Sequence, residues 1–289
     1  MHLSHLTTLA PLLSSALAAS GSFNVLSFNV AVLPEFINDN GIKGGKENAA
    51  TMIGQRFAQY AFDVIQVQED FDYHEELYAA DNHPFRTKTF GGVPFGSGLN
   101  TLANFGWSDY RRITWDDCYI DKGDCLTPKG FTFMRMNPVQ GVEIDFYNLH
   151  ADAGSGNDDE AARRSNIQQV ADYIGANSAG RAVVVFGDTN TLYSRPTDNV
   201  RIFGGQNGLT DAWVQFQYGG VIPGGVPECP EPTTDNSCET LDKVLYRRGS
   251  AVTLSATAFD YVTDLFLQAD GSILSDHNAV LVDFAQSTV

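Results

Sequence analysis

Basic residues are scarce in this 289-residue chain: 18 Lys and Arg stand against 35 Asp and Glu, a formal charge of −17. A surface this acidic repels a polyanion unless the charge is locally reversed. Paired arginines start only at Arg111, Arg163 and Arg247, so a nucleic-acid groove is disfavoured without being excluded. Cysteine is sparse as well. There are four, with no Cys-x-x-Cys and no neighbouring histidine, which argues against a zinc site. No Asn-x-Ser/Thr occurs, so N-glycosylation is not expected. Beyond the first twenty residues no apolar run is long enough to cross a membrane as a helix. No period of a solenoid or propeller recurs.

Charge is also missing from residues 1–20, "MHLSHLTTLAPLLSSALAAS", which end in small residues. This pattern reads as a secretory signal with an "ALA" cleavage site at Ala16–Ala18. It leaves 21–289 as one domain and predicts a secreted, extracellular, monomeric protein. In that compartment Cys118, Cys125, Cys229 and Cys238 would form disulfides. Three connectivities are open to four cysteines, and neighbour pairing is the simplest.

What is present is a 43% hydrophobic chain in which strand and helix patterns alternate. "FNVLSFNV" alternates in period two, "ENAATMIGQRFAQYAF" carries Ile53, Phe57 and Tyr60 at helical spacing, and "DVIQVQE" returns to strand. "GFTFMRM" and "VEIDFYNLH" follow as strands. A helix over 158–177 places Ile167, Val170, Ala171 and Ile174 on one stripe, with Asp158 or Asp159 as its N-cap. "AVVVFGDTN", "LDKVLYRR" and "AVLVDF" complete the strand set. The Gly- and Pro-rich segment 218–240 reads as a long cystine-tied loop. The class predicted is α+β, two packed mixed sheets with helices outside.

The informative regularity is the polar residue that closes or opens each apolar run. Asn29 follows "VLSF", Glu69 follows "VIQVQ", and His150 and Asp152 end "FYNLHAD". Asp188 and Asn190 end "VVVFGDTN", Asp242 opens "DKVLYR", and Asp276 and His277 stand before "NAVLVDF". Singly, each reads as a turn, a cap or a core histidine. As an ordered set, "FNV", "QVQE", "NLH", "GDTN", "LDKVLY" and "SDH" resemble the endonuclease/exonuclease/phosphatase superfamily, from Phe23 to Phe284. The resemblance implies a DNase I-like, four-layer α/β/β/α sandwich with one site where loops of the two sheets converge.

It also implies roles at the matched positions. Asn29, Glu69 and Asp276 are hard oxygen donors for Mg²⁺, with Mn²⁺ or Ca²⁺ as alternatives. His277 would take a proton from water while Asp242 fixes its tautomer. Asp188 would orient or deprotonate the same water, which leaves the effective base open between the two. Asn190 would donate to a phosphoryl oxygen, and His150 would stabilise charge near the leaving group. Asp152 is a further candidate. Arg163 and Arg164 read more simply as helix ion-pair residues than as phosphate contacts, with Arg164 kept as a candidate.

The segment "WDDCYIDKGDCLTPKGFTFMRM" resembles the secreted sphingomyelinase branch. Lys243 stands where that branch has Tyr, and "ADA" after His150 replaces its Leu-Gln. "LDKVLYR" is instead similar to inositol polyphosphate 5-phosphatases. The reading is therefore a metal-dependent phosphoester hydrolase, acting first on a phospholipid at a membrane surface, with 105–115 and 213–218 as aromatic interfacial surface. A secreted nuclease and an inositol-phosphate phosphatase are the alternatives. A non-catalytic binding module is disfavoured because every polar strand end is retained.

Overall fold

The computed structural model describes residues 19–90, 96–119 and 125–289. Residues 1–18 of the expected signal segment lie outside them. The first strand, β1, spans Ser20–Asn29, so Ser20, placed in the signal by sequence, is the first strand residue. There follow α1 (Lys46–Gln59), β2 (Val64–Gln68), α2 (His74–Ala80), β3 (Phe85–Arg86), β4 (Asn100–Ala103), β5 (Trp107–Thr114) and β6 (Gly130–Val139). Next come β7 (Val142–His150), α3 (Asn157–Asn177), β8 (Ala182–Asp188), α4 (Ile202–Asn207) and β9 (Thr210–Asp211). The chain closes with α5 (Ala212–Tyr218), β10 (Asp242–Arg247), β11 (Val252–Tyr261) and β12 (Val280–Thr288).

The strands form two six-stranded mixed sheets, β11-β12-β1-β2-β4-β3 and β5-β6-β7-β8-β10-β9. Period-two side-chain alternation explains the layering. In β1, Phe23 and Val25 face the core between the sheets, while Leu26 and Phe28 face a second core with Ile53 and Phe57 of α1. Phe23 meets Phe146 of the opposite sheet edge-on, 5.9 Å between centroids. On that sheet's outer face, Phe131 and Tyr147 pack against Tyr173 of α3. The order is helix, sheet, sheet, helix, as the resemblance implied.

Two local readings change. The N-cap of α3 is Gly156. Asp159 sits in the first turn, and its carboxylate accepts the Gly156 N–H at 2.9 Å. "WVQFQY" is helix: Asp211 caps it by accepting from Trp213 N–H, and Trp213 is buried. The aromatic stretches 105–115 and 213–218, expected as interfacial surface, are covered in part. Trp107, Tyr110, Trp115 and Tyr218 are partly buried against the core, and Phe216 remains exposed. The long loop 218–240 is as expected, and the disulfides join Cys118 to Cys125 and Cys229 to Cys238.

Candidate active site

Sheet topology decides which polar ends meet. Strands β7 and β8 are parallel, and their last residues, His150 and Asp188, are register partners. Strand β10 is antiparallel to β8, so its first residue, Asp242, pairs with Asp188 at the same edge. In the other sheet the parallel β1 and β2 end together at Asn29 and Gln68, with Glu69 the next residue. Strand β12 runs antiparallel to β1, which brings the "SDH" turn back over Asn29. Ser275 Oγ fastens it by donating to Asn29 O at 2.6 Å. Carboxyl ends of strands from both sheets thus share one crevice, the usual place for a ligand in such sheets.

The backbone there is strained. Ala31, Asn40, Glu69 and Asn190 adopt φ of 50–55°, four of the five non-glycine residues with positive φ among the described residues. Each costs about 1–3 kcal/mol, which local contacts must offset. Gly187, at φ 150°, is required for packing: a Cβ would lie 2.2 Å from Leu149 O.

His277 Nδ1 lies 2.9 Å from Asp242 Oδ2. Its Nε2 faces Asn29 Nδ2 at 3.3 Å and Asp188 Oδ2 at 3.8 Å. Asn29 Nδ2 donates to Asp188 at 3.2 Å, while its Oδ1 accepts the Ala31 N–H. Asn29 therefore presents its amide donor to the site, and the oxygen expected to bind metal faces the backbone. His150 Nε2 stands 3.4 Å from Asp188 and 3.2 Å from Lys129 Nζ. Lys129 was not singled out from sequence, although the "KGF" that contains it was a visible signal. Asn190 commits one amide N–H to Ala151 O at 3.0 Å.

The two histidines are pushed in opposite directions. Burial disfavours charge on His277, but Asp242 and Asp188 outweigh it and hold its pKa well above the usual value. Burial, aided by Lys129 and His277, holds His150 well below it. Burial also lifts Asp188 to about 6, with His277 opposing and Asp242 adding to the rise. Opposed shifts within one crevice mark acid and base assignments.

A cation fits the donor set. One ligand atom each of Asp188, Asp242 and His277 lie within 4.8 Å of one another, and Asp242 Oδ1 is buried without a hydrogen-bond partner. Burial raises the pKa of Glu69 against the influence of Lys129 and His277, and Asp276 and Asp188 raise it further. The acids outweigh the fixed positive charge, as at sites for hard divalent ions. Asp276 is held from behind: Asn40 Nδ2 donates to its carboxylate, and Asn40 Oδ1 accepts from the buried Lys46.

Arg163 and Arg164 do not face this crevice. Arg164 pairs with Glu160 and donates to Thr197 O, an exposed helix-surface role. Arg163 is fully buried against Asp198 at 3.1 Å. Asp152 accepts the Tyr119 N–H at 2.9 Å, which ties the Cys118 loop to the end of β7.

Known proteins share this fold. The chain is 40% identical over 272 residues to sphingomyelinases of Mycobacterium bovis and Mycobacterium tuberculosis, covering 92% of this chain and 53% of each relative. It thus spans about half the length of the curated relatives it matches. Among solved structures it is similar to sphingomyelinase C from Streptomyces griseocarneus (TM-score 0.64, 19% identity, 91% of this chain and 99% of that one). It is also similar to a Staphylococcus aureus beta toxin variant with bound magnesium ions (TM-score 0.63, 15% identity, 91% and 99%). Residues 36–217 match the profile of Endonuclease/Exonuclease/phosphatase family 2. With that match and this crevice of paired strand ends, the chain belongs to the endonuclease/exonuclease/phosphatase family.

Proposed function

We propose that this protein is a secreted, divalent-metal-dependent phosphodiesterase of sphingomyelinase type, acting on a phospholipid with water as the nucleophile. The observation that carries the reading is 40% identity over 92% of the chain to sphingomyelinases, together with the His277–Asp242 pair facing Asp188. Glu69 and Asp276 would hold Mg²⁺, helped by Asp188. Bound there, the ion supplies Lewis-acid charge at a phosphoryl oxygen.

This chain's own side chains account for the rest. Asp242 accepts the Nδ1 proton of His277, leaving Nε2 to receive the proton of a water that Asp188 orients. Asn29 Nδ2 and the second N–H of Asn190 are donors for phosphoryl oxygens, and such donors stabilise developing charge in a water-poor crevice. Lys129 and the neutral His150 stand where the leaving oxygen would depart, with Lys129 offering the positive charge.

The test is hydrolysis of sphingomyelin, other phospholipids, DNA, RNA and inositol phosphates with Mg²⁺, with and without EDTA. Chelator-sensitive release of phosphocholine from sphingomyelin is expected. Turnover confined to DNA or RNA would replace this reading with the nuclease one, and activity undiminished by EDTA would remove the metal.

A further inference from the structure

Asn278, next to His277, grips the cystine loop on both sides of a single acid. Its Nδ2 donates to Pro230 O at 3.2 Å, and its Oδ1 accepts from Thr233 N–H at 2.8 Å. Thr263 Oγ1 fixes the same oxygen at 3.0 Å. Between the gripped residues stands Glu231. The loop is further closed by the Cys229–Cys238 disulfide and by Cys229 N–H donating to Glu239 O at 2.9 Å. Long loops tied down this way usually serve function.

Glu231 is exposed, on a segment that Asn278, the residue after His277, holds from both sides. Burial there raises its pKa to about 7, with His277 opposing and Asp276, Asp242 and Asp188 adding to the rise. Among the described residues it has no hydrogen-bond or ion-pair partner. In its ionised form, with no partner to offset it, a carboxylate near a phosphate site opposes binding of any substrate that brings only negative charge. It favours one that carries a cation close to its phosphate.

We propose that Glu231 selects the headgroup, taking as its counter-charge the quaternary ammonium of a phosphocholine ester. This rests on the phospholipid reading above and deepens it. A two-carbon linker keeps that ammonium near the phosphorus, within reach of an acid on a loop held by the residue after His277. A polynucleotide would place a neighbouring phosphate against the same carboxylate. The loop thereby becomes a specificity element that the strand-end motifs do not contain.

Two soluble esters with one leaving group test it: p-nitrophenylphosphorylcholine and bis(p-nitrophenyl) phosphate, each with saturating Mg²⁺. Glu231→Gln is expected to lower kcat/KM on the choline ester by about tenfold, mostly through KM, and to weaken inhibition by phosphocholine by about the same factor. Its rate on the choline-free ester should hold or rise. Glu231→Lys should lower the first further and raise the second. Equal losses on both esters, or a raised Mg²⁺ requirement, would make Glu231 a structural or metal-binding residue and overturn the proposal. If the wild type prefers choline esters and Glu231→Gln keeps that preference, the inference alone falls. If the wild type cleaves the choline-free ester but no choline ester, the phospholipid reading falls and takes the inference with it.

Discussion

Replacing Asp242 by Asn leaves volume and hydrogen-bonding capacity in place and removes one charge. In the native site the carboxylate lies 2.9 Å from His277 Nδ1 and selects the tautomer whose Nε2 lone pair faces the crevice. The amide can donate to Nδ1 instead, which puts the ring proton on Nε2 and blocks it as a base. Loss of general-base catalysis costs about 10²–10⁴ in rate, and an Asp-to-Asn change beside a catalytic histidine falls at the upper end. That range corresponds to about 3–5.5 kcal/mol of activation free energy. Asp242 raises the pKa of His277, so the variant's residual activity should show its acid limb at lower pH. Stability should change by only about 1 kcal/mol, a few degrees in Tm at this size: the ion pair is lost, but repulsion between Asp242 and Asp188 is relieved as well. Initial rates across pH, a Mg²⁺ titration and thermal unfolding on one preparation decide the matter. A folded variant within about threefold of wild-type kcat, or one restored by more Mg²⁺, would refute the relay and make Asp242 a metal ligand.

Glu69→Gln removes ligand charge and should raise the Mg²⁺ needed for half-maximal rate by about tenfold or more, with kcat largely recovered at saturation, as a rate titration would show. Lys129→Met should lower kcat by about 10² as the positive charge 3.2 Å from His150 is lost. Because Lys129 adds to burial in holding the His150 pKa down, NMR titration should place that imidazole higher in the variant. The Asp188 carboxyl, about 6 in the fold against 3.8 for the free group, binds its proton more tightly folded than unfolded. Its ionisation therefore destabilises the metal-free protein as pH rises through about 4–6, by about 2–3 kcal/mol once complete. Asp188→Asn should accordingly raise the metal-free Tm at pH 7 and leave it little changed near pH 3.5, and equal shifts at both pH values would contradict the assignment.

Much of this protein is local physics that a linear reading captures. Alternation in "FNVLSFNV" marks a strand with two buried faces, and β1 does divide Phe23 and Val25 from Leu26 and Phe28. The stripe Ile167–Ile174 marks α3, and the polar residue ending each apolar run marks a strand terminus. Those signals depend on neighbours two to four positions away, so no tertiary information is needed to see them. The order of the motifs added the family, and with it the four layers.

Other features depend on residues far apart in sequence. Strand register alone sets Asp242 beside Asp188 and His150, and the antiparallel return of β12 alone sets His277 over Asn29. The orientation of the Asn29 amide follows from the Ala31 N–H that its oxygen accepts, a turn that no motif encodes. Lys129 enters the site because β6 begins beside the end of β7, and Glu231 because Asn278 fastens a loop some 45 residues distant. The aromatic stretches 105–115 and 213–218 could pass for surface in sequence, since their fate rests on which face of β5 or α5 finds a core to cover it. Residue types and local periodicity determined the elements and their polar ends. Only the tertiary structure, through cross-strand pairing and burial, decided which of those ends share a crevice and what charge each one carries there.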